Sequence, residues 1–264
     1  MSTTYSPSTT EPSKTVVAFM PLVYGVVLLL AEFARLGGWA FGSMLIDSAC
    51  LIVLLIHAAF TTNTSLRGIL IALGLIALLR IASLTLPLNQ FPVLWRSAVI
   101  GVPIFAAVVI AVNQLGIEWG ALGLNFRPLL PQILIGALGI PLGLVLYIVL
   151  QPVSLIASDS VANVLLSGLI LLVFTGFLDA FIFAGLLRRT ASALYGKWGI
   201  LFAALIFTML HLGIGSLALL PVIFIASVIL FTLTDRTGSF VGAALAQGIA
   251  NVLLYIVLPL IHLN

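Results

Sequence analysis

The sequence predicts an all-α membrane protein: a polytopic transmembrane helical bundle of eight or nine spans with its N-terminus in the cytoplasm. Three observations carry that reading. The 264-residue chain is 62% hydrophobic and only 6% charged, whereas a soluble domain carries roughly 25% charged residues. Its mean hydropathy is +1.34, and its apolar residues fall in runs of about 20, the length that crosses the hydrocarbon core as a helix. The breaks between runs carry basic residues, and these fall almost wholly on one side. The net charge of +3 comes from loop residues and does not form a nucleic-acid surface. A single cysteine, Cys50, excludes an intrachain disulfide.

Residues 1–14 are polar and rich in Ser, Thr and Pro, which predicts a disordered tail. They lack the basic start, short apolar core and cleavage site of a signal peptide, so the first span is expected to act as its own uncleaved insertion signal. The candidate spans are 16–36, 39–60, 68–87, 95–115, 131–150, 161–187, 198–213, 217–234 and 240–262. The second holds Asp47 and His57 and is the least pure, and 198–213 is the shortest, so the count is eight or nine. Basic residues in short loops stay inside. With the N-terminus inside, Lys14, Arg67, Arg127, Arg188, Arg189, Lys197 and Arg236 all face the cytoplasm, and Arg96 alone falls outside. The 151–160 loop then faces outward. A polar, aromatic stretch at 116–131, with Trp119 and Phe126, suits an interfacial cytoplasmic segment. It divides a four-span N-terminal region, 15–115, from a C-terminal bundle, 132–264.

Ionisable and amide side chains inside apolar spans mark functional sites, because hydrocarbon makes them expensive. Asp179, His211, Gln247 and Asn251 stand in the last segments of the chain. Counted from Arg188, Lys197 and Arg236, they lie roughly 13, 21, 16 and 22 Å from the cytoplasmic ends of their helices, within a slab of about 30 Å. Gln247 and Asn251 are four apart and share a helix face. Bland roles exist for each of them. Asp179 can be a structural charge paired with Arg80, His211 can bond a neighbouring helix, and Gln247 and Asn251 can be interhelical polar contacts. Glu32 and Arg35, three apart on one face, are expected to pair with each other. Asp47 and His57 read as polar packing or cavity lining.

Residues 161–255 resemble the CPBP family, the type II CAAX prenyl proteases together with bacteriocin-processing and bacteriocin-immunity membrane proteins. That family carries E-E-x-x-x-R on one helix, F-x-x-x-H on the next and H-x-x-x-N near the end. Here Asp179-Ala180-Phe181-Ile182-Phe183-Ala184 stands at the first motif, Phe207-x-x-x-His211 matches the second, and Gln247-x-x-x-Asn251 stands at the third. The resemblance implies an intramembrane endopeptidase hydrolysing a peptide bond in a membrane-associated protein or peptide, embedded in the lipid bilayer of a prokaryotic plasma membrane. It also implies catalytic roles for Asp179, His211, Gln247 and Asn251, and a divalent metal such as zinc, for which His211 and Asp179 are the candidate ligands.

Four positions depart from the pattern: Asp179 for the first Glu, Ala180 for the second, Ala184 for the Arg and Gln247 for the second His. A catalytic zinc takes three protein ligands, and this set offers two. A metal-free chemistry remains, with Asp179 as base, Gln247 and Asn251 donating to an oxyanion, and His211 orienting water or protonating the leaving amine. The alternative is a catalytically dead member that binds membrane proteins or serves as an immunity factor. Other hydrolase classes fit less well. The chain has no H-E-x-x-H and no G-x-S-x-G, and an Asp47–Asp179 dyad lacks the flanking glycines of its class. A transporter built on helices broken at Pro103, Pro141 or Pro221 would need an inverted repeat, and the sequence shows none.

Overall fold

The computed structural model describes residues 14–156 and 160–262. Residues 1–13, 157–159 and 263–264 lie outside it, so the predicted polar tail and part of the 151–160 loop are not described. Thirteen α-helices follow in order: α1 (Lys14–Leu36), α2 (Ala40–Phe60), α3 (Thr64–Thr85), α4 (Val93–Leu115), α5 (Trp119–Leu122), α6 (Leu129–Ala137), α7 (Gly139–Leu150), α8 (Val161–Leu171), α9 (Arg188–Tyr195), α10 (Trp198–Met209), α11 (Leu219–Thr237), α12 (Val241–Val252) and α13 (Leu258–His262). No strand occurs among the described residues. Among the described residues, eight helical stretches are long and apolar enough to cross a membrane, and a ninth, Trp198–Ile214, is shorter. Outward faces of the spans carry bare apolar side chains such as Phe60, Ile148 and Leu165, as expected where lipid and not water is the solvent.

The sixth span departs from its predicted extent. The sequence ends it at 187, ahead of Arg188-Arg189, but the helix runs on to Tyr195 as one rod, Val161–Tyr195. The reason is that Arg188 is buried and satisfied: its Nε donates to the Ala184 carbonyl at 2.6 Å and its Nη1 to Asp235 on α11. The rod stops at Gly196, whose φ of 60° lies in the region that favours glycine. Two stretches of this rod, Leu172–Phe177 and Ala180–Leu187, are wound as π-helix, as is Leu253–Val257 after α12. Such wider turns are rare and collect at functional sites.

Helix α12 forms the centre of the C-terminal bundle because its sequence, Val-Gly-Ala-Ala-Leu-Ala-Gln-Gly-Ile-Ala-Asn-Val, is nearly all small. Small residues let membrane helices approach until their backbones touch. On one side a Cβ at Gly176 of the rod would lie 2.7 Å from the Gly248 Cα, and on the other a Cβ at Gly139 of α7 would lie 2.3 Å from the Ala246 carbonyl oxygen. The start of α12 is fixed from elsewhere in the chain. Gln132 of α6 accepts the Gly242 N–H at 2.7 Å, and Ser239 accepts the Val241 N–H while donating to the Asn125 carbonyl. The 116–131 segment is thereby tied to α12, and Trp119 packs on Phe181, which stacks on Phe240.

A methyl group at Gly176 must push α12 away from the rod. Gly176→Ala is expected to lower stability by about 1–3 kcal/mol, the usual cost of overpacking. Gly120→Ala, where nothing lies within 4 Å, should leave it unchanged, and thermal unfolding of the two purified variants checks the contrast.

Candidate functional site

The α12 packing has a direct consequence: Asp179, His211, Gln247 and Asn251 all line one cavity of about 240 Å³. Three elements bring them there. Asp179 lies between the two π-wound stretches of the rod, His211 just past α10, and Gln247 and Asn251 on one face of α12. Apolar walls come from α7 (Leu142, Leu146, Leu150) and α11 (Leu219, Ile223, Leu230). The cavity is therefore greasy on its sides and polar on one face, the usual composition of a binding site.

His211 does not sit mid-helix, as its apolar surroundings suggest. Helix α10 ends at Met209, and His211 occupies the turn before a short 3₁₀ stretch, Leu212–Ile214. A helix end leaves its last carbonyls without intrahelical partners. The His211 N–H takes the Thr208 carbonyl, and the ring Nδ1 bonds the Phe207 carbonyl at 2.9 Å. A carbonyl only accepts, so Nδ1 carries the proton, and in the neutral ring Nε2 is left as an acceptor. The Phe207 ring packs on the imidazole at 4.8 Å and on Phe183 at 4.9 Å. The Phe-x-x-x-His spacing thus has a physical basis, since one residue supplies both the carbonyl and the ring that hold the histidine.

Asp179 forms no ion pair with Arg80, which pairs with Glu32 on α1 instead. Among the described residues the Asp179 carboxyl has no hydrogen-bond partner. Gln247 is 7% exposed, and neither its Oε1 nor its Nε2 finds a partner among the described residues. An unpaired buried amide costs roughly 1–3 kcal/mol. Asn251 is held: its Nδ2 donates to Thr175 Oγ1 at 2.9 Å, and Thr175 donates in turn to the Leu171 carbonyl at 2.5 Å. One amide hydrogen of Asn251 remains unused by that bond.

Sequence reasoning missed Thr175, although its place four residues before Asp179 was a usable signal for a shared face. The remaining intramembrane polar residues lie elsewhere. Glu32 pairs with Arg35 as its spacing predicts, Asp47 lines a small buried cavity with Glu32 and Arg80, and His57 bonds the Tyr24 hydroxyl at 3.0 Å.

No group of three or more His, Cys, Asp or Glu side chains that could hold a metal occurs among the described residues. The cavity offers Asp179 and His211, one ligand short of a catalytic zinc site, so the donor set does not fit that ion. Ala180 and Ala184, both 0% exposed, stand four apart where the resembled motif has Glu and Arg. Both members of an i,i+4 pair are thus replaced together, so neither position leaves the other's charge unpartnered.

The fold and site define a polytopic helical membrane protein with a polar cavity inside its C-terminal bundle. Residues 161–253 match the family model described as type II CAAX prenyl endopeptidase Rce1-like, so the resemblance read from the three motifs holds over that stretch. The matched region contains all four cavity residues. No curated protein and no solved structure matches the chain.

Replacing Thr175 by the near-isosteric Val removes the hydroxyl that holds Asn251. Interhelical hydrogen bonds in membranes are worth about 0.6 kcal/mol, at most about 1.7. Thr175→Val should cost no more than that in unfolding free energy while changing the site, which equilibrium unfolding in mixed micelles would measure.

Proposed function

We propose that the cavity handles a peptide segment of a membrane-associated substrate and hydrolyses a peptide bond there without a metal. The observation that carries the reading is the meeting of Asp179, His211, Gln247 and Asn251 in one cavity within the family-matched region. Asp179 would take a proton from a water held beside it, and that water would add to the substrate carbonyl. The Gln247 Nε2 and the second Asn251 Nδ2 hydrogen would donate to the oxygen as it becomes negative. His211 would orient the water through Nε2, and Asp179 would pass the proton it took to the departing amine as the C–N bond breaks. The apolar walls from α7 and α11 suit a hydrophobic segment. On this reading the N-terminus is cytoplasmic, as the loop charges favour, and the protein resides in a prokaryotic plasma membrane.

One observation favours a second reading. Ala180 and Ala184 leave the site without the second carboxylate and the arginine of the resembled motif, which is what a catalytically dead binder of membrane proteins, or an immunity factor, would retain.

Protein termini in the membrane fraction separate the two. Wild type, Asp179→Ala and His211→Ala are expressed at equal levels in cells lacking the protein. New termini are expected only with wild type, with at least a 100-fold loss in either variant, in line with general acid–base contributions of about 10²–10⁴. Asp179→Glu, which moves the carboxylate one methylene toward the water, should retain cleavage. Identical terminus catalogues in all strains would rule out hydrolysis and leave the binding reading.

A further inference from the structure

Arg80 lies on α3, outside the family-matched region, and no motif gives it a part. Three other ionisable side chains meet around it in the apolar interior. Glu32 and Arg35 come from α1 and Asp47 from α2, and Glu32 and Asp47 are 4% and 2% exposed. Both arginines pair with Glu32, and Asp47 shares a small cavity with Glu32 and Arg80. Two acids and two bases cancel, which is how buried charges persist in a membrane.

The Arg80 guanidinium has a second bond, from Nη2 to the Leu210 carbonyl, and Leu210 directly precedes His211. Helix α10 has 12 residues, a rise of about 18 Å, so it ends inside a slab of about 30 Å. There the exposed carbonyls of a helix end have no water to bond and must be satisfied by the protein. The turn does this bond by bond. The Phe207 carbonyl takes the His211 ring, the Thr208 carbonyl takes the His211 N–H, the Leu210 carbonyl takes Arg80, and the His211 carbonyl takes the Ile214 N–H. Gly213 clears the space over the turn for the second arginine, since a Cβ there would lie 2.0 Å from the Arg35 Nη2.

We infer that Arg80, anchored by Glu32, is a positioning residue for His211: it fixes the carbonyl one residue before the histidine and so sets how the imidazole enters the cavity. The N-terminal spans therefore act on the site through two arginines without lining its cavity. The geometric claim stands whatever the site does, and its effect on turnover rests on the role proposed above for His211.

The test reads the ring itself. Full-length protein carrying His57→Gln and His262→Gln keeps His211 as its only histidine. It is labelled with ¹⁵N-histidine and placed in lipid nanodiscs. The parent should show one protonated and one bare ring nitrogen, the signature of a single tautomer held at the Phe207 carbonyl. Arg80→Gln, and Glu32→Gln with its unanchored arginine, should both give a tautomer mixture, and Arg80→Lys, which keeps the charge and a donor, should restore part of the single form. Unfolding temperatures show that the variants are folded, and if Arg80→Gln does not accumulate, Arg80→Lys and Glu32→Gln carry the comparison. A parent signature unchanged in the folded variants would overturn the inference. Because this readout needs no turnover, a protein that cleaves nothing can still support it, and cleavage without a tautomer change would count against Arg80 alone.

Discussion

The site depends on how closely α12 lies against the rod that carries Asp179. Gly176 and Gly248 meet backbone to backbone, and Gly139 brings α7 equally close on the other flank. Without that contact Gln247 and Asn251 would stand away from the aspartate, and a cavity of about 240 Å³ would open into a cleft between helices. The small residues of α12 also explain what holds it. With little side-chain volume to bury, it relies on backbone approach, on the Gln132 and Ser239 bonds at its start, and on the Asn251–Thr175 bond near its end.

A second constraint is the lack of water. A polar group inside the slab must find a partner in the protein or keep one place for a ligand. Most find a partner. The carbonyls at Phe207, Thr208 and Leu210 are bonded within the protein, Arg188 pairs with Asp235, and Glu32 pairs with both Arg35 and Arg80. Gln247 finds none, and Asp179 has none among the described residues. These two groups stand as unpartnered polar groups of the cavity, which also holds a histidine whose acceptor nitrogen is set by the bond on the other one.

Much of this was legible in the sequence. The spans followed from apolar runs, and Asp179, His211, Gln247 and Asn251 stood out because each interrupts one at a spacing the family motifs share. The N-terminal partner choices were not legible. Arg80 could have reached Asp179 or Glu32, and only the packing of α1 against α3 decides for Glu32. The helix end at Met209 was hidden too, since Leu210-His211-Leu212 continues the apolar run without a break. Helix continuation past Arg188 depended on Asp235, 47 residues away, and the π-wound turns beside Asp179 have no sequence signature.

The central claim is that the cavity between α7, α11 and α12 receives a peptide, and site-specific photocrosslinking in cells tests it most directly. A benzophenone amino acid replaces Leu142, which lines the cavity, or Leu144, two residues on and 45% exposed on the lipid side of the same helix. The account predicts protein adducts from position 142 that are absent at 144, where lipid alone is captured. Lipid alone from both positions, or the same protein adducts from both, would contradict it.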